Sequence, residues 1–229
     1  MSLVQDLIAS FLNKLFSPKI ECALKKEHFG SQYGGWDVAT DYISLDSIIY
    51  SFGIGTDASF DSKLINRYKV VVHAFDPTPK SIYWVKKQDF SDNFVFHEYG
   101  LADLDGTVQF NPPVNPDHVS YTIIDRLETK ENAISVPVKK LKTIMNELGH
   151  NKVDILKMDI EGAEYQVIED MIASKIYPTQ ILVEFHHRFL NVGLQKTKNS
   201  INLLKRAGYC LFSVSDSKEE FCFILKSEK

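Results

Sequence analysis

The spacing of apolar positions changes along the chain, and those changes mark out its elements. Residues 3–16 carry apolar side chains at helical spacing, with Leu3, Leu7, Phe11 and Leu15 four apart and Val4, Ile8, Leu12 and Phe16 beside them. Pro18 ends that helix. From residue 47 onward short apolar runs alternate with amphipathic segments. Residues 47–52 read as a strand closing on Gly53-Ile54-Gly55, followed by a helix with Phe60, Leu64 and Ile65 on one side. Residues 70–75 are a near-continuous β-branched and aromatic run, as expected of a strand buried on both faces. It stops at Asp76-Pro77, and the next helix holds Ile82, Tyr83 and Val85. Residues 94–99 form a third strand, and residues 101–110 turn at Asp105-Gly106, a hairpin signal. Residues 111–135, with Pro112, Pro113 and Pro116, predict an irregular excursion with little helix or strand.

A helix around residues 140–149 leads to a strand at 153–158, then to a helix carrying Val167, Ile168, Met171 and Ile172. A strand at 181–185 and a helix near 197–207 follow. The last two strands, 209–214 and 220–225, lie too close in sequence to be parallel. This rhythm predicts an α/β fold: a mostly parallel sheet with an antiparallel C-terminal hairpin and helices on both faces. A chain of 229 residues fits one large domain. Residues 1–46 read as an N-terminal helix with a cap or lid segment, and 47–229 as one globular unit.

Charge narrows the partners. With 26 basic and 30 acidic residues the net charge is −4, which argues against a nucleic-acid partner. The groups Lys25-Lys26, Lys86-Lys87 and Lys139-Lys140-Lys142 are short and read as solvated surface. No run of about 18 apolar residues predicts a membrane span, and the N-terminus lacks the marks of a signal peptide. Cys22, Cys210 and Cys222 show no metal spacing. Cys210 and Cys222 would face each other in a hairpin about Ser215-Asp216-Ser217, but reduced, buried thiols in a cytoplasmic protein are the expectation. The leading helix either packs across the domain or serves a homodimer.

The candidate chemistry gathers where strands end. A parallel sheet binds ligands beyond the carboxyl ends of its strands, at the point where strand order reverses. Gly53-Ile54-Gly55, Asp76, Asp159–Glu161 and Glu184–His187 all fall at such ends. Gly53 and Gly55 allow a tight turn with backbone close to a ligand. Asp76, about 20 residues beyond, can accept the hydroxyls of a ribose or merely cap a helix. Those features suit the adenosine of a nicotinamide or a sulfonium cofactor equally. Asp159, Glu161 and Glu164 place three carboxylates across one strand-to-helix turn; Glu164 suits the helix dipole. Asp159, beside residues 155–158, calls for a partner. Strand alternation sends Glu184 and His186 to one face and Phe185 and His187 to the other. With Asp159 they form a candidate acid/base or metal set. Satisfied core polar structure is the alternative. Tyr33-Gly34-Gly35-Trp36 and the proline-rich 111–122 segment are candidate walls for an acceptor.

The block Ile155-Leu156-Lys157-Met158-Asp159-Ile160-Glu161-Gly162-Ala163-Glu164 resembles the signature of the FkbM family of methyltransferases. Tyr50–Asp57, Ala74–Pro79 and Val183–His186 join it in the family's order, and the resemblance spans residues 30–225. It implies a seven-stranded class I methyltransferase sheet of Rossmann-like type, S-adenosylmethionine as donor, and O-methylation of a sugar, glycan or secondary metabolite. By that resemblance Ser51, Gly53, Ile54, Gly55, Asp57, Asp76 and Pro77 line the cofactor site, and Asp103 approaches the adenine. Ser51 stands where such enzymes commonly carry an acid for the cofactor's ammonium, and Asp57 is expected to compensate.

Asp159, Glu161 and His186 are expected to orient and deprotonate the acceptor hydroxyl, with Glu184 orienting His186 or contributing to a metal site. The set admits a divalent metal without requiring one. A nicotinamide-dependent oxidoreductase shares the glycine turn and Asp76, but no Tyr-x-x-x-Lys pair accompanies them. A non-catalytic binding protein on the same fold is the third reading.

Overall fold

The computed structural model describes Phe16 and residues 18–112, 132–189 and 192–226. The expected leading helix, Phe16 apart, and most of the proline-rich 111–122 segment lie outside the described residues.

Two short strands absent from the sequence reading come first, β1 (Lys26–Phe29) and β2 (Trp36–Ala39), paired antiparallel. Then β3 (Ile48–Phe52), α1 (Ser59–Tyr68), β4 (Val71–Phe75), α2 (Pro79–Val85) and β5 (Phe94–His97) follow the predicted rhythm. Beyond them come β6 (Gly100–Leu101), β7 (Gly106–Phe110), β8 (Ile134–Lys139) and α3 (Leu141–Glu147). The chain continues through β9 (Ile155–Met158), α4 (Glu164–Ala173), β10 (Gln180–Glu184) and α5 (Gly193–Arg206). It closes with β11 (Tyr209–Val214) and β12 (Glu220–Leu225).

Seven strands form the main sheet in the order β11-β12-β10-β9-β3-β4-β5. The pairs β10–β9, β9–β3, β3–β4 and β4–β5 are parallel, whereas β12 is antiparallel to both β10 and β11. Strand order runs outward in both directions from β3 and β9, so the switch point lies between their carboxyl ends. Side-chain alternation splits the apolar residues into two cores. Tyr50, Phe52, Leu156, Met158 and Val183 face one way, under α3, α4 and α5. Ile49, Ala74, Ile155 and Leu182 face the other, under α1, Val85 of α2, and the β1–β2 hairpin. In α4 the inward residues Tyr165, Val167, Ile168 and Met171 keep helical spacing. Each such buried side chain contributes about 1.5–3 kcal/mol.

Three expectations are corrected. Asp105-Gly106 does not close a hairpin: β8 lies between β6 and β7, parallel to the first and antiparallel to the second. The Asp105 carboxylate instead accepts from the Lys140 N–H at 2.9 Å and the Thr143 hydroxyl at 2.9 Å, at the start of α3. Residues 134–135, assigned to an irregular stretch, begin β8, in which Val136 and Val138 point inward either side of Pro137. Finally, the cysteines are not all reduced. The segment before β1 runs beside β11, with the Glu21 N–H donating to the Leu211 carbonyl at 2.9 Å, and Cys22 is disulfide-bonded to Cys210. Only Cys222 is free, buried opposite Ser213. The pairing removes the cysteine argument for a reducing compartment.

Candidate active site

A cavity of about 690 Å³ opens at the switch point. Its size is that of a small-molecule site, about 300–1,000 Å³. The turn after β3 forms one wall. Gly53 has φ +80°, and a Cβ there would stand 1.9 Å from the Asp159 carbonyl oxygen. Only glycine lets the ends of β3 and β9 approach so closely. Lys157, in an otherwise apolar strand, donates from Nζ to the carbonyls of Phe52 at 3.1 Å and Gly53 at 2.6 Å. Beneath the turn, burial raises the Asp61 carboxyl to about 6 against the pull of Lys157.

Asp76 lines the cavity, yet its carboxylate is engaged with the chain itself. Oδ2 accepts from the N–H groups of Ile54 at 3.1 Å and Gly55 at 2.9 Å. Oδ1 accepts from the N–H of Thr78 at 2.9 Å and its hydroxyl at 2.6 Å. A carboxylate has about four acceptor positions, so these bonds fill it. Asp76 thus holds the glycine turn in shape. Asp57 also lines the cavity, and it accepts from the Ser31 hydroxyl at 2.5 Å and the Ser59 N–H at 2.9 Å. Burial alone would raise its pKa, but Ser31 and Ser59 hold it below the usual range. Asp57 thereby fastens the loop between β1 and β2, whose Tyr33, Gly34 and Gly35 form the facing wall with Trp36 at the start of β2.

Gly53, Ile54, Gly55 and Pro77 line the cavity. Two expected cofactor contacts do not. Ser51 is fully buried with its side chain off the cavity lining, because strand alternation turns it toward α1. Asp103 is exposed, beyond the short strand β6, where its charge acts on Lys140.

Carboxylates form the other end. Asp159, Glu161 and Glu184 line the cavity. Glu161 holds φ +51°, a left-handed conformation uncommon outside glycine, in the turn between β9 and α4. Behind them His186 is only 1% exposed. Its Nε2 lies 3.5 Å from Glu161 Oε2, 3.6 Å from Glu184 Oε1 and 3.8 Å from Asp159 Oδ1. Its other face meets Glu164, fully buried, whose Oε1 accepts from the His186 main-chain N–H at 2.9 Å and lies 3.3 Å from Nδ1. Glu164 Oε2 accepts from the Gly162 N–H at 2.8 Å. Burial would lower the imidazole pKa, but Glu164, Glu161 and Glu184 together raise it to about 10. Burial and the charge of Asp159 push the Glu184 carboxyl up.

His186 itself does not line the cavity; the carboxylates in front of it, Asp159, Glu161 and Glu184, do. Glu164 contacts the His186 main chain and Nδ1, while Glu184 stands 3.6 Å from Nε2. Sequence reasoning also passed over Lys157, Arg188 and Glu219. Arg188 lines the cavity, 3.5 Å from Glu184 and ion-paired with Glu219. Lysine inside the run 155–158 was the available signal for the first; nothing local marked the other two.

The strand order, with one antiparallel strand next to the last in the sheet, and a ligand-sized cavity at its switch point define the class I methyltransferase fold. The family described as Methyltransferase FkbM domain matches residues 48–211, and the chain belongs to it. A human protein described as probable methyltransferase-like protein 24 is 28% identical over 141 residues, covering 60% of this chain and 32% of that protein. Its rat (Rattus norvegicus) counterpart is 24% identical over 155 residues, covering 67% and 36%. The chain thus spans about a third of the length of these curated relatives. A crystal structure of methyltransferase FkbM from Methylobacillus flagellatus superposes with a TM-score of 0.49 at 13% identity, over 97% of this chain and 59% of that one.

Proposed function

We propose that the chain binds S-adenosylmethionine and transfers its methyl group to an oxygen of a small, carbohydrate-like acceptor. The observation that carries this reading is a single cavity joining the Gly53–Asp57 turn to the carboxylates Asp159, Glu161 and Glu184. Phe52, Phe75, Ile54 and Leu101 give it apolar surface suited to an adenine ring. The acidic end suits a positive sulfonium, because clustered carboxylates concentrate a cation. Gly53, Ile54, Gly55, Asp57 and Pro77 would hold the cofactor, with Asp76 keeping their turn in shape, and the cofactor supplies an electrophilic methyl carbon.

The protein's own task is alignment and proton removal. Holding the acceptor oxygen in line can supply about 7–11 kcal/mol, whereas a general base adds about 10²–10⁴-fold. Asp159, one-third exposed at the cavity surface, is the base in this reading, and Glu161 orients the hydroxyl. Tyr33, 88% exposed over the cavity mouth, offers an aromatic face to a sugar ring. Hydroxyl-rich acceptors suit the many carboxylate acceptors of this end.

Thermal-shift and calorimetric titration with S-adenosylhomocysteine against NAD tests the cofactor. Stabilisation by the first and not the second is expected; the reverse would return the chain to the oxidoreductases. Labelled-methyl transfer to a panel of nucleotide-sugars and glycans then tests the acceptor. Cofactor affinity with no transfer to any of them would make this a binding protein.

A further inference from the structure

His186 Nε2 is buried without a hydrogen-bond partner, although three carboxylate oxygens surround it at 3.5–3.8 Å. Those separations are too long for charge-assisted hydrogen bonds, which run about 2.7–2.9 Å. They sit close to the spacing of neighbouring ligands around a metal. Donors at about 2.0–2.2 Å from one ion stand roughly 3.0–3.5 Å apart. One ligand atom each from Asp159, Glu184 and His186 falls within 4.8 Å of the others.

The ring is also held as a metal-binding histidine usually is. A second carboxylate at the far ring nitrogen fixes the tautomer and aims the other lone pair, and Glu164 stands 3.3 Å from Nδ1. Further bonds to Glu164 from the His186 and Gly162 N–H groups fix that carboxylate in turn. Three of the surrounding acids reach the cavity, so an ion there would keep positions open to a ligand.

We propose that Asp159, Glu184 and His186, with Glu161 beside them, form a binding site for a divalent transition cation. One imidazole with carboxylates suits manganese, iron(II) or zinc. The cation's role rests on the methyl-transfer reading: at the acceptor end of the cavity it would lower the pKa of a bound hydroxyl. Binding itself does not depend on that reading.

The test uses the full chain stripped with chelator and titrated with Mn²⁺, following free Mn²⁺ by electron paramagnetic resonance, with Zn²⁺ as competitor. One ion per chain is expected, displaced by Zn²⁺. His186→Ala and Glu184→Gln should each weaken binding at least about tenfold, and Glu164→Gln by about 10–100-fold. Glu147→Gln, at the exposed ion pair with Lys139, should leave it unchanged. Circular dichroism melts of each variant separate lost binding from lost fold. A wild-type chain that binds S-adenosylhomocysteine but takes up neither ion overturns the site and leaves methyl transfer standing. Uptake of one ion without S-adenosylhomocysteine binding supports the site and removes the role assigned to it.

Discussion

Glu164 and His186 meet twice: one carboxylate oxygen accepts the His186 main-chain N–H at 2.9 Å and lies 3.3 Å from its ring Nδ1. The carboxylate is fully buried, so this contact ties the first turn of α4 to the end of β10 with no competition from water. Glu164→Ala leaves the His186 ring and two buried amide donors without their acceptor. Each buried donor left unsatisfied costs about 1–3 kcal/mol, so about 3–5 kcal/mol is expected in all. Urea denaturation should show a loss of that size. A loss below about 1 kcal/mol would mean that Glu164 does not hold the ring.

Asp76→Asn should weaken cofactor binding and stability together. An amide nitrogen cannot accept, so either the Ile54 and Gly55 N–H groups or the Thr78 donors lose their partner. The expected cost is about 1.5–3 kcal/mol. Calorimetry with S-adenosylhomocysteine and a thermal melt measure the two effects. Weaker cofactor binding with an unchanged melt would return Asp76 to direct ribose recognition.

Asp159→Asn removes the proposed base while leaving the Gly53–Asp57 wall in place. Turnover on an identified acceptor should fall about 10²–10⁴-fold, with S-adenosylhomocysteine affinity altered far less. Wild-type turnover in this variant would exclude the assignment.

His73 gives a pH test away from the cavity. It shares a contact with His97 at 3.1 Å and lies against His150, whose ring meets the Tyr50 hydroxyl at 2.7 Å. Burial, then the charges of His97 and His150, lower its pKa from 6.5 to about 4. Between those values the unfolded chain binds a proton that the native ring refuses, so this ring's contribution to stability falls as pH falls. Asp61 and Glu184, with raised pKa values, act in the opposite sense. The difference between wild type and His73→Asn isolates the ring. Relative to wild type, the variant should gain stability between pH 7 and pH 5 in urea melts.

The strand ends were legible because short apolar runs stop abruptly at Gly53, Asp76, Asp159 and Glu184, and the sheet gathers such ends at one edge. Register and turn geometry were not. Glu164 reads as an ordinary first-turn acid until the left-handed turn at Glu161 is known, since that turn aims α4 and swings the carboxylate inward. Asp76 reads as a ribose ligand until the glycine turn is seen to fold back onto it. Ser51 illustrates the limit of carrying a position over from a resemblance: alternation along β3 turns it to the opposite face from Phe52. The strands β1 and β2 are four residues each, too short for a two-residue period to stand out.

The disulfide joins residues 188 apart, so nearly the whole fold is a closed covalent ring. The loop at Tyr33–Trp36 and the ends of β3, β4, β9 and β10 that face it belong to that ring, while most of β11 and all of β12 lie outside it. In a chain-entropy account, such a ring denies the unfolded state about 5 kcal/mol of freedom. Even with the sheet melted, the wall contributed by the hairpin could not drift far from the strand ends it closes over. Reduction would release that tether without touching a single residue of the cavity.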